Sequence, residues 1–110
     1  MARANKVRMV FVTCGSLAEA RKIARAVVEV KLAACVNIHT APVESIYRWK
    51  GKVEKAREFL LLMKTSQARL KALEREVKRL HSYETPEFIA VAVSEGEKNY
   101  LKWIESSLAV

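Results

Sequence analysis

Apolar and polar residues alternate with two different periods along the chain, and the changes of period divide it into strands and helices. Val7–Thr13 is apolar at successive positions, as expected of a strand that is covered on both faces. Ser16 and Glu19 then form a capping box, after which apolar residues recur at helical spacing as far as Leu32. We therefore predict a strand followed by a helix.

A period of two returns in Ala34–Trp49 and predicts the first arm of a long hairpin. Pro42 interrupts this arm, and because proline cannot donate to a strand ladder it marks a bulge or an edge position. Lys50–Gly51 forms the predicted tip, since glycine permits the positive φ of a tight turn. Val53–Thr65 carries the chain back as the second arm, which is also apolar on both faces.

The remaining pattern predicts a second helix, a short strand and a last helix. Thr65 or Ser66 provides a helix cap, and apolar residues follow at three-four spacing to about His81. Phe88–Val93 is a third strand that is apolar on both faces, and Glu97–Leu108 returns to helical spacing.

The predicted order, βαββαβ plus a terminal helix, belongs to the α/β (α+β) class and matches the ferredoxin-like fold. This fold has a four-stranded antiparallel sheet with two helices on one face. A length of 110 residues and a hydrophobic fraction of 51% fit one domain spanning residues 1–110.

Two features of this predicted fold indicate self-association. Two helices cover one face of the sheet, whereas three strands are apolar on both faces, so the other face needs a cover. Each hairpin arm has about fifteen residues and spans roughly 50 Å, whereas a second helix of about fifteen residues spans about 23 Å. We therefore expect the tip around Trp49 to protrude beyond its own subunit and to contact another copy.

The net charge of +8, with no aspartate in the chain, is compatible with nucleic acid, anionic membranes or acidic ligands. Basic residues and glutamates interleave along the helices, however, which favours solvated, ion-paired surfaces, so we predict neither nucleic acid nor a membrane as partner. The same composition is typical of a thermostable protein. The beginning of the chain lacks the apolar core of a secretory signal, and we predict a cytoplasmic protein.

Five motifs in a fixed order resemble the CutA family of divalent-cation tolerance proteins. They are LAACVNI at 32–38, SIYRWKG at 45–51, Glu58 with Lys64, HSYETPE at 81–87 and YLKWI at 100–104. The likeness extends from about Val7 to Leu108. One departure is Ser82, where the family usually has proline, so this loop is predicted to be less rigid here.

The resemblance implies a non-catalytic homotrimer of ferredoxin-like subunits with a role in tolerance to copper and other divalent cations. Two classes of function follow. The first is weak binding of copper or another divalent metal ion at or near subunit junctions. The second is a structural or signalling trimer that binds a small metabolite or partner protein in intersubunit clefts. An enzyme is disfavoured because the chain has no phosphate-binding loop and no recognisable catalytic spacing.

His81 and Glu84 are the first candidate metal ligands, because imidazole and carboxylate suit copper and zinc. One histidine and one or two carboxylates do not close a site, so water or a neighbouring subunit would complete it. In the alternative interpretation His81 caps the preceding helix and Glu84 binds backbone amides in a turn.

Cys35 and His39 are the second candidate pair of metal ligands. Together with Asn37 they fall on one face of a predicted strand, each about 7 Å from the next. A copper ion suits this mixture of donors. The alternative is a buried thiol beside a partly buried histidine at a subunit junction.

The resemblance also implies a ligand cleft between subunits. Its residues come from the two hairpin arms and from the loop that follows the second helix: Tyr47, Trp49, Glu58, Lys64, Tyr83 and Glu84. A lysine beside aromatic rings suits an anionic or planar ligand. Packing between subunits explains the same residues without a ligand.

Overall fold

The computed structural model describes residues 6–109, within which five strands and three helices are formed. In chain order these are β1 (Val7–Cys14), α1 (Leu17–Glu29), β2 (Cys35–Ile38), β3 (Val43–Trp49), β4 (Lys52–Ser66), α2 (Leu70–Leu80), β5 (Ile89–Ala92) and α3 (Lys98–Ser107). The 3-10 turn Gln67–Arg69 joins β4 to α2. The predicted domain of residues 1–110 also includes residues 1–5 and 110, which lie outside the described residues.

All strand pairs are antiparallel, and β4 pairs along both of its edges. One edge of β4 pairs with β1, and the other pairs with both β2 and β3. β5 pairs with the free edge of β1. β2 and β3 are therefore one strand of the ferredoxin-like sheet that is interrupted at residues 39–42, around the predicted break at Pro42. The predicted fold class is confirmed.

Helices α1 and α2 cover one face of this sheet and form the main core. Their buried residues are apolar and lie at helical spacing, namely Ala20, Ile23, Ala24 and Val27 on α1 and Leu73 and Val77 on α2. The strand residues that face them alternate along β1 and β4, namely Val10, Val12, Cys14, Leu61 and Met63. This layer holds the ends of β1, α1 and α2 in fixed positions relative to one another.

The predicted cap of the second helix is correct in position for Ser66 only. Ser66 is the N-cap residue of the 3-10 turn that leads into α2, but its side chain makes no capping hydrogen bond, and Thr65 belongs to β4. Thr65 is completely buried, and its Oγ1 donates to the carbonyl oxygen of Leu32 at 2.7 Å. The hydroxyl thus provides a hydrogen bond to the Leu32 carbonyl, which lies just after α1. Residue spacing along the chain does not reveal such a long-range contact.

The opposite face of the sheet, called here the open face, is apolar and is largely without a cover in the described chain. It contains Met9, Phe11, Leu62, Ile89 and Val91, which pair with one another across β4, β1 and β5. Ile89 and Val91 are 55% and 43% exposed. Helix α3 covers one end of the sheet only.

The hairpin of β3 and β4 projects from the body of the domain, as predicted. Its tip is a two-residue turn in which Lys50 and Gly51 both have positive φ, 50° and 80°. Side chains near the tip are well exposed, among them Ile46 at 67% and Trp49 at 49%. The molecule measures 47 × 26 × 25 Å, so it is nearly twice as long as it is wide.

Candidate functional site

The loop of residues 81–87, between α2 and β5, separates two groups of polar side chains. One group lies at the junction of β1, α1 and α2 and contains Cys14, Glu19 and His81, whose ligand atoms all lie within 4.8 Å of one another. We call it the Cys-Glu-His cluster. Cys14 ends β1, Glu19 lies in the first turn of α1, and His81 follows α2 directly. The core layer beneath these elements therefore sets the geometry of the cluster.

The imidazole of His81 is held by hydrogen bonds on both of its nitrogens. Its Nε2 lies 2.7 Å from the carbonyl oxygen of Thr13, and since a carbonyl only accepts, Nε2 carries the hydrogen. Nδ1 accepts from the backbone N–H of Tyr83 at 3.0 Å. The side chain is fully buried. His81 is the C-cap residue of α2 through its backbone, whose N–H donates to the carbonyl of Val77 at 2.9 Å, whereas its side chain bonds elsewhere and the fold defines its tautomer.

Glu19 brings a carboxylate oxygen to the same imidazole nitrogen. Its Oε2 lies 3.4 Å from Nδ1 of His81 and accepts from the hydroxyl of Ser82 at 3.2 Å. The backbone N–H of Glu19 is capped by Ser16 Oγ, which anchors the first turn of α1. Ser82, which departs from the family pattern, thus links this loop to α1.

Cys14 supplies a thiol that stays protonated at neutral pH. Burial raises the pKa of the Cys14 thiol to about 12, and the nearby charges of Glu19 and Glu58 act in the same direction. A metal ion that binds this sulfur must therefore displace a proton.

Of the four predicted metal ligands, only His81 belongs to the cluster. Glu84 lies on the wall of a separate cavity. Cys35 is partly buried on β2 opposite Lys64, and His39 is exposed just beyond β2, where its N–H donates to the carbonyl of Leu60 at 2.9 Å. Within residues 6–109 no other group of three such ligand atoms comes equally close.

Reasoning from the sequence missed Cys14 and Glu19 as partners of His81. Glu19 has a clear local role in the capping box, and Cys14 is an ordinary buried thiol. More than sixty positions separate them from His81, and only the packing of α2 beside α1 and β1 brings the three together. Local spacing contains no signal for such a contact.

The second group of polar residues lines a cavity of about 630 Å³ beside the hairpin. Three of its wall residues are aromatic and three are carboxylates: Tyr47, Trp49, Tyr83, Glu58, Glu84 and Glu87. We call it the acid-aromatic cavity. It contains five of the six residues predicted for the ligand cleft, and it adds Glu87, which was not predicted.

Lys64 is the predicted cleft residue that does not line this cavity. It lies six positions further along β4 than Glu58, and its Nζ donates to Asn37 Oδ1 at 2.7 Å. The same ammonium lies 5.6 Å from the centre of the Tyr100 ring. The expected lysine for an anionic ligand is therefore engaged elsewhere in the chain.

The electrostatics of the acid-aromatic cavity are those of an anionic site. Glu58 is only 9% exposed, and Tyr83 Oη donates to its Oε2 at 3.0 Å. Burial, followed by this hydrogen bond and the charge of Glu58, raises the pKa of Tyr83 to about 12. Partial burial, followed by the charge of Glu58, raises the pKa of Glu87.

Comparisons with known proteins agree on one family. The family model of the CutA1 divalent ion tolerance protein matches residues 8–107. The divalent-cation tolerance protein CutA of Archaeoglobus fulgidus is 41% identical over 99 residues, which are 90% of this chain and 95% of that protein. Human protein CutA is 46% identical over 98 residues, or 89% of this chain, but the match spans only 54% of the human protein.

Solved structures give the same result. The divalent cation tolerance protein of Thermus thermophilus superposes with a TM-score of 0.91 at 43% identity, covering 94% of this chain and 99% of that one. The Archaeoglobus fulgidus protein, described as periplasmic, superposes with a TM-score of 0.90 at 40% identity over 94% and 99% of the two chains. Within residues 6–109 none of the helices has the length and apolar character that crossing a membrane requires.

Proposed function

Because the chain belongs to the CutA1 divalent ion tolerance family, we propose that it binds divalent metal ions at the Cys-Glu-His cluster. Copper is the ion proposed first, zinc and other divalent ions following, and the affinity is proposed to be low. The protein is proposed to act without catalysis, as a homotrimer of single-domain subunits in the cytoplasm.

One observation carries the metal proposal. Nδ1 of His81 and Oε2 of Glu19 are both acceptors, yet they lie 3.4 Å apart in a buried site, with the Cys14 sulfur within 4.8 Å. Two acceptors at that distance repel each other unless a proton or a cation lies between them. The arrangement therefore suits a bound cation.

The donor set fits copper or zinc. Thiolate, imidazole and carboxylate are ligands of both ions, and three protein ligands leave a fourth position open to exchange. A ligating imidazole usually donates its other N–H to a carbonyl or a carboxylate, which fixes the tautomer. Nε2 of His81 has such a bond to Thr13, which leaves the lone pair on Nδ1; that lone pair now accepts from Tyr83 N–H, 3.4 Å from Oε2 of Glu19.

Two features of the same site keep the affinity low. The metal must replace the hydrogen bond from Tyr83 N–H to Nδ1, which is worth about 0.5–1.5 kcal/mol. It must also displace the proton of Cys14, whose pKa is about 12.

The open face and the hairpin support the homotrimer. Apolar residues such as Ile89 and Val91 stay about half exposed in the single chain. Burying them between subunits stabilises the assembly by about 25 cal/mol for each Å² of apolar surface removed from water. The hairpin extends past the helices and exposes Trp49 near its tip. Light scattering should therefore report three times the 12.5 kDa of one chain, and a 12.5 kDa species at micromolar concentration would contradict the proposal.

Titration of tag-free protein with zinc and with anaerobic copper tests the metal site. Glu19→Gln keeps the shape of the side chain and removes its charge, and it should weaken binding by roughly tenfold. Cobalt(II) provides a second measurement, because a thiolate ligand produces a sulfur-to-cobalt charge-transfer band that Cys14→Ser should abolish.

The matched controls are the other cysteine and the other histidine. Cys35→Ser and His39→Asn lie outside the cluster and should bind metal like the unaltered protein. If the control variants lose as much metal affinity as Glu19→Gln, the metal binds outside the cluster. A dissociation constant weaker than roughly millimolar, about 4 kcal/mol, would remove a direct metal role.

A further inference from the structure

Tyr83 contacts both groups of polar side chains beside the loop of residues 81–87. Its backbone N–H donates to Nδ1 of His81 at 3.0 Å, and its side-chain Oη donates to Oε2 of Glu58, also at 3.0 Å. The Tyr83 ring packs on the imidazole of His81, with the two ring centres 4.7 Å apart. One residue therefore connects the Cys-Glu-His cluster with the wall of the acid-aromatic cavity.

The side chain of Tyr83 is held in place by its contacts with two strands. Gly15 directly follows Cys14 at the end of β1, and a Cβ atom at position 15 would lie 3.1 Å from Tyr83 Oη. The hydroxyl therefore lies close against the backbone there. Its acceptor, Glu58, is 9% exposed and belongs to β4. Because a buried, satisfied hydrogen bond favours one arrangement, the contact with Glu58 fixes Tyr83 from its side-chain end.

A metal ion at the cluster and the backbone of Tyr83 compete for one lone pair. A neutral imidazole has a single acceptor nitrogen, and Nε2 of His81 carries the hydrogen that it donates to Thr13. The lone pair of Nδ1 accepts from Tyr83 N–H. A metal ion that binds Nδ1 must therefore displace this N–H, and Tyr83 has to move away from His81.

We propose that Tyr83 holds the cluster in a metal-free conformation, and that metal binding at His81 Nδ1 releases the Tyr83 hydroxyl from Glu58. This inference rests on the proposed metal site and adds a regulation of it. Metal then binds only the minor conformation in which Tyr83 has moved, so the apparent affinity is lowered by the population of that conformation. Because such coupling is reciprocal, a donor that replaces Tyr83 at Glu58 raises the metal affinity, and metal raises the affinity for that donor by the same factor.

Calorimetric titration of the assembled protein with zinc is the direct test. Tyr83→Phe removes the hydroxyl and keeps the ring, and it should bind zinc roughly tenfold more tightly, because the lost hydrogen bond to a carboxylate stabilises only the metal-free conformation. A purely structural role of Tyr83 predicts the opposite sign, since a loosened site binds metal less well. Tyr100→Phe removes a hydroxyl on α3, outside the cavity, and should alter the zinc affinity less than twofold.

The release of the hydroxyl has its own measurement on the unaltered protein. The chain has three tyrosines, so isotopic labelling of the tyrosine ζ carbon gives three NMR signals. Tyr47→Phe and Tyr100→Phe identify two of them and leave that of Tyr83. Saturating zinc should move the Tyr83 signal toward that of the exposed Tyr100, because the hydroxyl loses its carboxylate acceptor. A Tyr83 signal that stays in place would overturn the proposal and would mean that the peptide bond before Tyr83 turns alone.

Glu19→Gln separates failure of this inference from failure of the metal site. Weaker zinc binding in Glu19→Gln together with tighter binding in Tyr83→Phe is the result expected. If Glu19→Gln weakens zinc binding while Tyr83→Phe leaves it unchanged or weakens it, the metal site stands and the coupling is wrong. If neither variant differs from the unaltered protein, zinc binds outside the cluster and both proposals fail.

Discussion

The buried thiol of Cys14 predicts a loss of stability between pH 7 and pH 10. Its pKa is about 12 in the folded chain, against the ordinary 9.0 expected after unfolding. The unfolded state therefore ionises first, so the contribution of the thiol is complete below pH 9 and falls as the pH rises toward 12. At pH 10 an exposed thiol is about nine-tenths ionised, which favours unfolding by about 1.4 kcal/mol. The full loss, about 4 kcal/mol, is reached only above pH 12.

Guanidinium unfolding at the two pH values measures this effect, with reductant and a metal chelator present and chain concentration held constant. The informative quantity is how much more unfolding free energy the unaltered protein loses between pH 7 and pH 10 than Cys14→Ala does. The contributions of other groups that titrate in this range are the same in both proteins and cancel. We expect the unaltered protein to lose about 1.4 kcal/mol more than Cys14→Ala. Cys35→Ala retains the buried thiol and should retain the excess loss.

Equal losses in the unaltered protein and in Cys14→Ala would refute the reasoning. That result would mean that the thiolate is tolerated in the fold, through water or through a shift of Glu19. The cavity left by alanine lowers stability at both pH values equally, so it does not imitate the predicted result.

Three further predictions concern the same region. Zinc affinity should rise about tenfold from pH 7 to pH 8, because one thiol proton is released on binding, and Cys14→Ser should abolish this slope in calorimetry. Tyr83→Phe should lower the free energy of unfolding by about 2 kcal/mol, since Glu58 loses its hydrogen bond, and a change below about 0.5 kcal/mol would contradict the buried contact. Thr65→Val should cost about 1–3 kcal/mol in urea unfolding because a buried carbonyl loses its donor, whereas Ser66→Ala, which would cost about 1 kcal/mol if Ser66 capped α2, should change little.

Hydrophobic periodicity was sufficient to predict the fold, because each helix and strand of this protein shows its own local pattern of apolar residues. Successive apolar residues in β1, β4 and β5 predicted strands with two covered faces, and the break at Pro42 predicted the interruption between β2 and β3. The hairpin tip at Lys50–Gly51 followed from turn chemistry. The motifs extending over most of the chain were sufficient for the family.

Local reasoning failed where a residue serves a distant partner. Thr65 has the chemistry of a helix cap, yet it lies in β4 and donates to the carbonyl of Leu32, thirty-three positions away. The hydroxyl is therefore committed to a buried carbonyl, and periodicity contains no information about such a bond. Lys64 stays a predicted residue of a cleft between subunits, and within one chain its Nζ donates to Asn37 Oδ1.

The sequence alone determined the order of the elements, the two-sided sheet, the long hairpin and the family, because these depend on spacing over a few residues. The tertiary structure decided which ligand atoms meet and which charge dominates each cavity. His81 joins Cys14 and Glu19 only because α2 packs beside α1 and β1. The cavity is acidic only because Glu58, Glu84 and Glu87 converge while Lys64 is engaged elsewhere, since electrostatic energy depends on distance in space and not along the chain.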